Sequence, residues 1–205
     1  MEIYDISMAI YSDMPVYKNK EEKKPRLRVQ QDFKSSSAYE SVLEINMHTG
    51  THVDAPLHMF EGGETIDQLD LSKVITQCKL LDLTQVVDRI TARDLEGKGI
   101  SKDDFILFKT KNSFCEFFDV DFVFLDKTGA EFLKHIGIKG VGADALGIER
   151  SQPDHSTHKI LFEAGITIIE GLRLAEVPEG EYLLFAAPLK VIGAEGAPTR
   201  AVLVK

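Results

Sequence analysis

The chain contains no tryptophan, only two cysteines, and fewer basic than acidic residues, 24 Lys and Arg against 33 Asp and Glu. Each shortage excludes something. Cys78 and Cys115 stand alone in unrelated segments, with no CxxC pair and no dense framework. Neither a disulfide scaffold nor a thiolate metal site is therefore expected, and both read as reduced packing thiols of a cytoplasmic protein. A net charge of −9 repels a phosphate backbone and an anionic bilayer surface alike. Nucleic acid and membrane are thereby excluded as main partners, leaving a small molecule or another protein. No apolar run approaches the roughly 20 residues that span a bilayer. The opening stretch, MEIYDISMAI, lacks the basic region and unbroken apolar segment of a secretory signal. Repeats and long Pro/Gly/Ser linkers are also missing, so residues 1–205 are expected to form a single domain.

What is present is strand-rich. Alternating or short apolar runs occur at IYDISM, RLRVQQDF and YESVLEINMH, then at KLLDL, DFILFKT and GVGAD, then at ITIIEGL, YLLFAAPL and AVLVK. Helical periodicity predicts helices at ETIDQLDLSKV, TARDLEGKG, TGAEFLKHIG and STHKILFEAG, the last three ending at glycines suited to a left-handed cap. The sum is an α/β domain, with a βαβ unit where STHKILFEAG lies between GVGAD and ITIIEGL. YKNKEEKKPR, residues 17–26, reads as a solvated charged loop.

Chemistry concentrates in HTGTHVDAPLH, residues 48–58, which holds His48, His52, Asp54 and His58. His48 and His52 have the i, i+4 spacing of a helical zinc site, but Gly50, β-branched Val53 and Pro56 oppose a helix there. A strand leading into a turn fits better. All four polar residues share one parity and so one face of an extended chain. A straight strand would hold i and i+4 roughly 13 Å apart, too far to share an ion, so the chain must bend at Gly50. Three histidines and an aspartate on one face around a hinge point to metal binding.

A second group follows from chain geometry. If Ser156 or Asp154 caps a helix, the chain advances about 10 Å to Ala164, turns at Gly165, and returns about 16 Å through ITIIE. Glu170 then ends near His158 at the start of the helix. A carboxylate closing an apolar strand needs a cation nearby, and a ligand role meets that need. His135, late in its helix, receives no chemistry.

With these residues in place, HTGTHVDAPLH resembles the H-x-G-T-H-x-D-x-P-x-H motif of the cyclase-like metal-dependent hydrolases, the family that includes bacterial kynurenine formamidase. YDIS, GADALGIE, AGITIIEGL and FAAPLKVIGAEGAPTRAVLV resemble further blocks of that family. The resemblance implies an α/β fold around a mixed, barrel-like β-sheet with flanking helices, commonly in a homodimer. It implies two metal ions, usually zinc, with manganese or a single ion as variants. His48, His52 and Asp54 would bind one ion, Asp54 and His158 the second, and Glu170 both; His58 would remain free as general acid/base. Tyr17, in MPVYKNK, would stand for the aromatic residue that contacts an aromatic substrate, although the Pro-Gly-Asp that follows it in similar formamidases is missing.

The reaction so implied is arylformamidase hydrolysis of N-formyl-L-kynurenine to L-kynurenine and formate, by water activated at the metals. Hydrolysis of a cyclic amide, as in isatin hydrolase, is the alternative within the family. Two readings from other classes remain open at this point. His52-x-Asp54 with a distant His158 also matches the facial triad of non-haem iron(II) oxygenases. An ion that only staples the fold would make the chain a binding module.

Overall fold

In the computed structural model, which describes residues 1–205, the alternating segments pair into one curled sheet of nine strands and two small two-stranded sheets. In chain order the strands are β1 (Ile3–Asp5), β2 (Arg26–Gln31), β3 (Glu40–Glu44), β4 (His52–Asp54), β5 (Ile75–Asp82), β6 (Arg89–Ile90), β7 (Phe105–Lys109), β8 (Phe124–Leu125), β9 (Gly140–Ala143), β10 (Thr167–Glu170), β11 (Gly180–Phe185), β12 (Gly196–Pro198) and β13 (Val202–Val204). The α-helices are α1 (Ala92–Leu95), α2 (Lys127–Ile136) and α3 (Ser156–Glu163).

The large sheet runs β1-β13-β11-β5-β7-β9-β10-β4-β12. Strands β5, β7, β9 and β10 are mutually parallel, and the remaining pairings are antiparallel, so the sheet is mixed. Its parallel centre explains why FILF is apolar without alternation: a strand covered on both faces has no wet side. Phe105 and Leu107 enter one hydrophobic cluster with Val53, Tyr182 and Leu203, while Ile106 and Phe108 enter another with Leu133 and Leu161 from α2 and α3. This period of two divides the core between the sheet's two faces.

The expected βαβ unit is present, β9 and β10 lying parallel with α3 between them in sequence. Helix α2 has its side-chain cap, Asp126 accepting from the N–H groups of Thr128 and Gly129, and it ends at Gly137 with φ of 80°. Three expectations need correction. Residues 64–74 form two short 3₁₀ turns, Ile66–Gln68 and Leu71–Lys73, because Thr65 and Asp70 each cap a new turn and divide the segment. The predicted helix at residues 91–99 shortens to the four residues of α1, since Gly97 and Gly99 both turn left-handed. Helix α3 is capped by neither Ser156 nor Asp154; His155 occupies the cap position in a left-handed conformation, and its side chain makes no capping bond.

Strands β2 and β3 form a ribbon outside the main sheet, with Leu27, Val29 and Leu43 exposed. No helix is long and apolar enough to cross a membrane. Cys78 is buried and Cys115 partly buried, both free, and burial pushes the Cys78 thiol up to about 12, as a packing cysteine requires.

Candidate metal centre

Strand β4 lies between β10 and β12, so its three residues are buried, and its antiparallel register sets His52 opposite Glu170 and Asp54 opposite Ile168. The residues before β4 turn at Gly50, whose φ is 64°. That turn folds His48 back until its Nδ1 lies 2.9 Å from Asp54 Oδ1. After β4, Pro56 opens a 3₁₀ turn that ends at His58, bringing its ring centroid to 4.1 Å from that of His48 and 5.7 Å from that of His158. Strand β10 and the start of α3 bring Glu170 Oε1 to 3.3 Å from His158 Nε2. Six residues from distant parts of the chain thus converge: His48, His52, Asp54, His58, His158 and Glu170.

The Gly50 turn is clamped by a second glycine. Gly171 has φ of 73°, and a Cβ there would lie 2.4 Å from the Gly50 carbonyl oxygen. The Thr51 hydroxyl donates to the Gly171 carbonyl at 2.6 Å and accepts from the Met8 N–H at 2.7 Å. Gly171→Ala is expected to force these backbones apart and cost roughly 2–4 kcal/mol of stability, read from the urea midpoint. A midpoint equal to wild type would show that the crossing is not tight.

Asp54 and Glu170 have the same arrangement. His52 Nε2 lies 3.4 Å from Asp54 Oδ1 and 3.3 Å from Glu170 Oε2, while His158 Nε2 lies 3.7 Å from Asp54 Oδ2 and 3.3 Å from Glu170 Oε1. Each carboxylate therefore directs one oxygen toward each imidazole. The far nitrogens are already engaged: His52 Nδ1 donates to the Gly50 carbonyl at 2.9 Å, and His158 Nδ1 donates to Glu149 Oε1 at 2.5 Å. These bonds turn both Nε2 atoms inward.

The electrostatics divide the histidines. Burial alone would lower His52, but Asp54 and Glu170 outweigh it and push the imidazole up to about 10. His158 is likewise raised against its burial, by Asp54, Glu149 and Glu170. The carboxylates mirror this: burial and Asp54 oppose ionisation of Glu170, yet His158 and His52 bring it down to about 2, and Asp54 falls well below the usual carboxylate range against its own burial. His58 moves the other way: burial lowers it, Asp54 and Glu170 pull it up, and the neighbouring His48 and His158 add to the lowering. The centre favours positive charge between the carboxylates and a neutral ring at His58.

The donor set fits a metal. His48 Nε2, His52 Nε2 and both oxygens of Asp54 are buried without a hydrogen-bond partner, an arrangement costly for polar atoms unless a cation joins them. Ligand atoms of His52, Asp54 and Glu170 all lie within 4.8 Å of one another, as do those of His48, Asp54 and His58.

A cavity of about 770 Å³ opens over the centre, with His48, His58, His158 and Glu170 at its buried end and Met59 and Leu146 among its walls. Tyr17 lines it, half-buried, its ring edge-on to Phe118 at 5.4 Å and to Phe122 at 6.5 Å. The 17–26 loop, expected to be merely solvated, supplies Lys18 and Lys23 to the same cavity.

Sequence reasoning missed Glu149. Its carboxylate is buried, accepts from His158 and from Gln152, lies 3.1 Å from His155 Nδ1, and takes the Thr157 N–H at the start of α3. It thus does the capping expected of Ser156 or Asp154. An acidic residue closing GADALGIE, nine positions before His158, was the available signal. Glu195, 3.4 Å from His48 Nε2, gave none.

Comparisons with known proteins agree with one another. The family model named Cyclase matches residues 4–150. "Cyclase-like protein 3" of Arabidopsis thaliana is 36% identical over 100% of this chain and 80% of its own length. "Kynurenine formamidase" of Salinibacter ruber is 30% identical over 99% of this chain and 97% of its own. A solved structure described as a potential metal-dependent hydrolase with cyclase activity superimposes with a TM-score of 0.92 at 50% identity, covering 98% of this chain and 96% of that one.

Proposed function

The chain belongs to the cyclase family, and from that premise we propose that it is a metal-dependent hydrolase of amide C–N bonds acting on N-formyl-L-kynurenine, which it cleaves to L-kynurenine and formate. One observation carries the metal dependence: two buried carboxylates, each directed toward both His52 and His158, with unpartnered donor atoms converging between them. The relatives that bear the name kynurenine formamidase support the formyl amide as substrate.

In this reading one zinc ion would be held by His48, His52 and Asp54 and a second by His158 with Asp54, and Glu170 would contribute to both. When bound, such ions acidify a water and polarise a carbonyl oxygen. The protein's own residues supply the remainder. Gly50 and Glu149 hold the His52 and His158 rings with Nε2 facing inward. His58, kept neutral by burial, takes the proton of the attacking water and returns it to the aniline nitrogen as the C–N bond breaks. Water adds to the formyl carbon, the amine leaves with the proton, and formate and kynurenine result.

The test is formate release from N-formyl-L-kynurenine by protein whose metal content has been measured, with chelation and re-addition of zinc. Release that follows zinc content supports the reading; a zinc-loaded protein that releases no formate refutes it. Glu149→Gln keeps an acceptor for His158 but removes the charge, and it is expected to weaken metal affinity about 10- to 100-fold. Calorimetric titration with zinc checks this, and unchanged affinity would remove Glu149 from the site.

A further inference from the structure

The same cavity carries a charge that the acidic chain as a whole does not. Lys18, Lys23 and Lys159 line it, and none of the three has a carboxylate within ion-pair distance. Their neighbours show that pairing was available: Lys24 lies 2.8 Å from Glu21 and Lys20 lies 3.8 Å from Glu22. The two carboxylates of the cavity, Glu149 and Glu170, are already engaged with histidines at its buried end. Three unpaired ammonium groups in a protein of net charge −9 form a local positive field around the approach to the centre.

Two of these lysines are held in place. Lys18 Nζ lies 5.3 Å and Lys23 Nζ 5.5 Å from the centroid of the Tyr17 ring, within cation–π range. Lys18 and Asn19 both adopt positive φ, 58° and 48°, a strained pair that carries the chain around Tyr17. Phe118 and Phe122 approach the same ring edge-on. Four side chains of the protein itself thus surround Tyr17, and its ring serves as a seat for ammonium groups.

Resting on the hydrolase reading above, we propose that Lys18, Lys23 and Lys159 form a carboxylate-recognition rim, and that this enzyme selects acyl amides that carry a carboxylate, as N-formyl-L-kynurenine does, over those that lack one. A substrate carboxylate meets the lysines while the amide reaches the buried end of the cavity.

Three aryl formamides separate the possibilities: N-formylanthranilate, which is anionic, N-formylkynurenine, which is zwitterionic, and formanilide, which is neutral. With zinc-loaded enzyme, kcat/KM is expected to be higher for the two carboxylate-bearing compounds than for formanilide, and to fall with added salt for those two. In the triple variant Lys18→Gln, Lys23→Gln, Lys159→Gln, the ratio of kcat/KM for N-formylanthranilate over formanilide is expected to drop at least about tenfold, in line with loss of charge-assisted hydrogen bonds. An unchanged ratio, or equal kcat/KM for the anionic and neutral compounds in the unmodified enzyme, overturns the proposal. Calorimetric binding of benzoate to the zinc-loaded protein gives a readout independent of turnover. If no formamide is hydrolysed, the hydrolase reading has failed, and the rim is still judged: a benzoate Kd raised about tenfold in the triple variant supports it, and an equal Kd rejects it.

Discussion

Replacing His58 with alanine is expected to lower kcat by about 10²- to 10⁴-fold while the zinc content stays at its wild-type level. His58 stands apart from the other histidines of the centre in both position and charge. Its backbone is fixed by the 3₁₀ turn after β4, with its N–H donating to the Ala55 carbonyl at 2.9 Å. The ring lies tilted against that of His48, 4.1 Å between centroids, and lines the cavity. Burial lowers His58, whereas the carboxylates raise His52 and His158. A ring that stays neutral at physiological pH is suited to accept a proton from water; rings drawn toward positive charge are suited to the cation's side of the site. The competing role is that of a ligand, since donor atoms of His48, Asp54 and His58 also lie within 4.8 Å of one another. Zinc analysis of the purified variant separates the two. Metal retained with turnover lost assigns His58 to proton transfer, and a zinc-poor variant makes it a ligand.

The convergence of the candidate residues was legible in the sequence where the strand order was not, for physical reasons that differ from residue to residue. HTGTHVDAPLH gives its geometry away because period-two parity and a glycine hinge are local properties, and the observed Gly50 turn and His48–Asp54 approach follow from them. Glu170 was placed beside His158 by counting the rise of a helix against the rise of a strand, a calculation that works because α3 is short and β9-α3-β10 is a single βαβ unit. Glu149 escaped because its work is tertiary. Nothing in GADALGIE says that the carboxylate will cap a helix seven residues later and orient an imidazole from behind. Lys18 and Lys23 were hidden by composition, since a run of charges ordinarily means solvent. Strand existence followed from apolar alternation, but the order that sets β4 between β10 and β12 depends on long-range pairing that no local pattern encodes. The failed helix at 64–74 shows the opposite limit: a helical apolar period lost to two local caps.

If the centre holds two zinc ions as proposed, Asp54→Asn is expected to abolish high-affinity binding of both, whereas His158→Ala should abolish one. The asymmetry follows from the two oxygens of Asp54, one facing His48 and His52 and the other facing His158, on a side chain with no exposed surface. Asparagine keeps the shape, loses the charge, and presents an NH₂ where one ligand oxygen was. Glu170 alone does not compensate, because His48 lies against Asp54 Oδ1 at 2.9 Å and Glu170 Oε1 shares its lone pairs with the Ile148 N–H at 2.6 Å. Removing one partner from a buried set of charges costs roughly 3–5 kcal/mol, which in affinity is about 10²- to 10⁴-fold for each ion. His158→Ala leaves His48, His52 and Asp54 together, so one ion should still bind. Zinc titration followed by calorimetry gives the stoichiometries directly: two per chain in the unmodified protein, none in Asp54→Asn and one in His158→Ala. An Asp54→Asn protein that still binds one zinc with wild-type affinity would show that the carboxylate serves a single ion, and the paired geometry of Asp54 and Glu170 would then need another explanation.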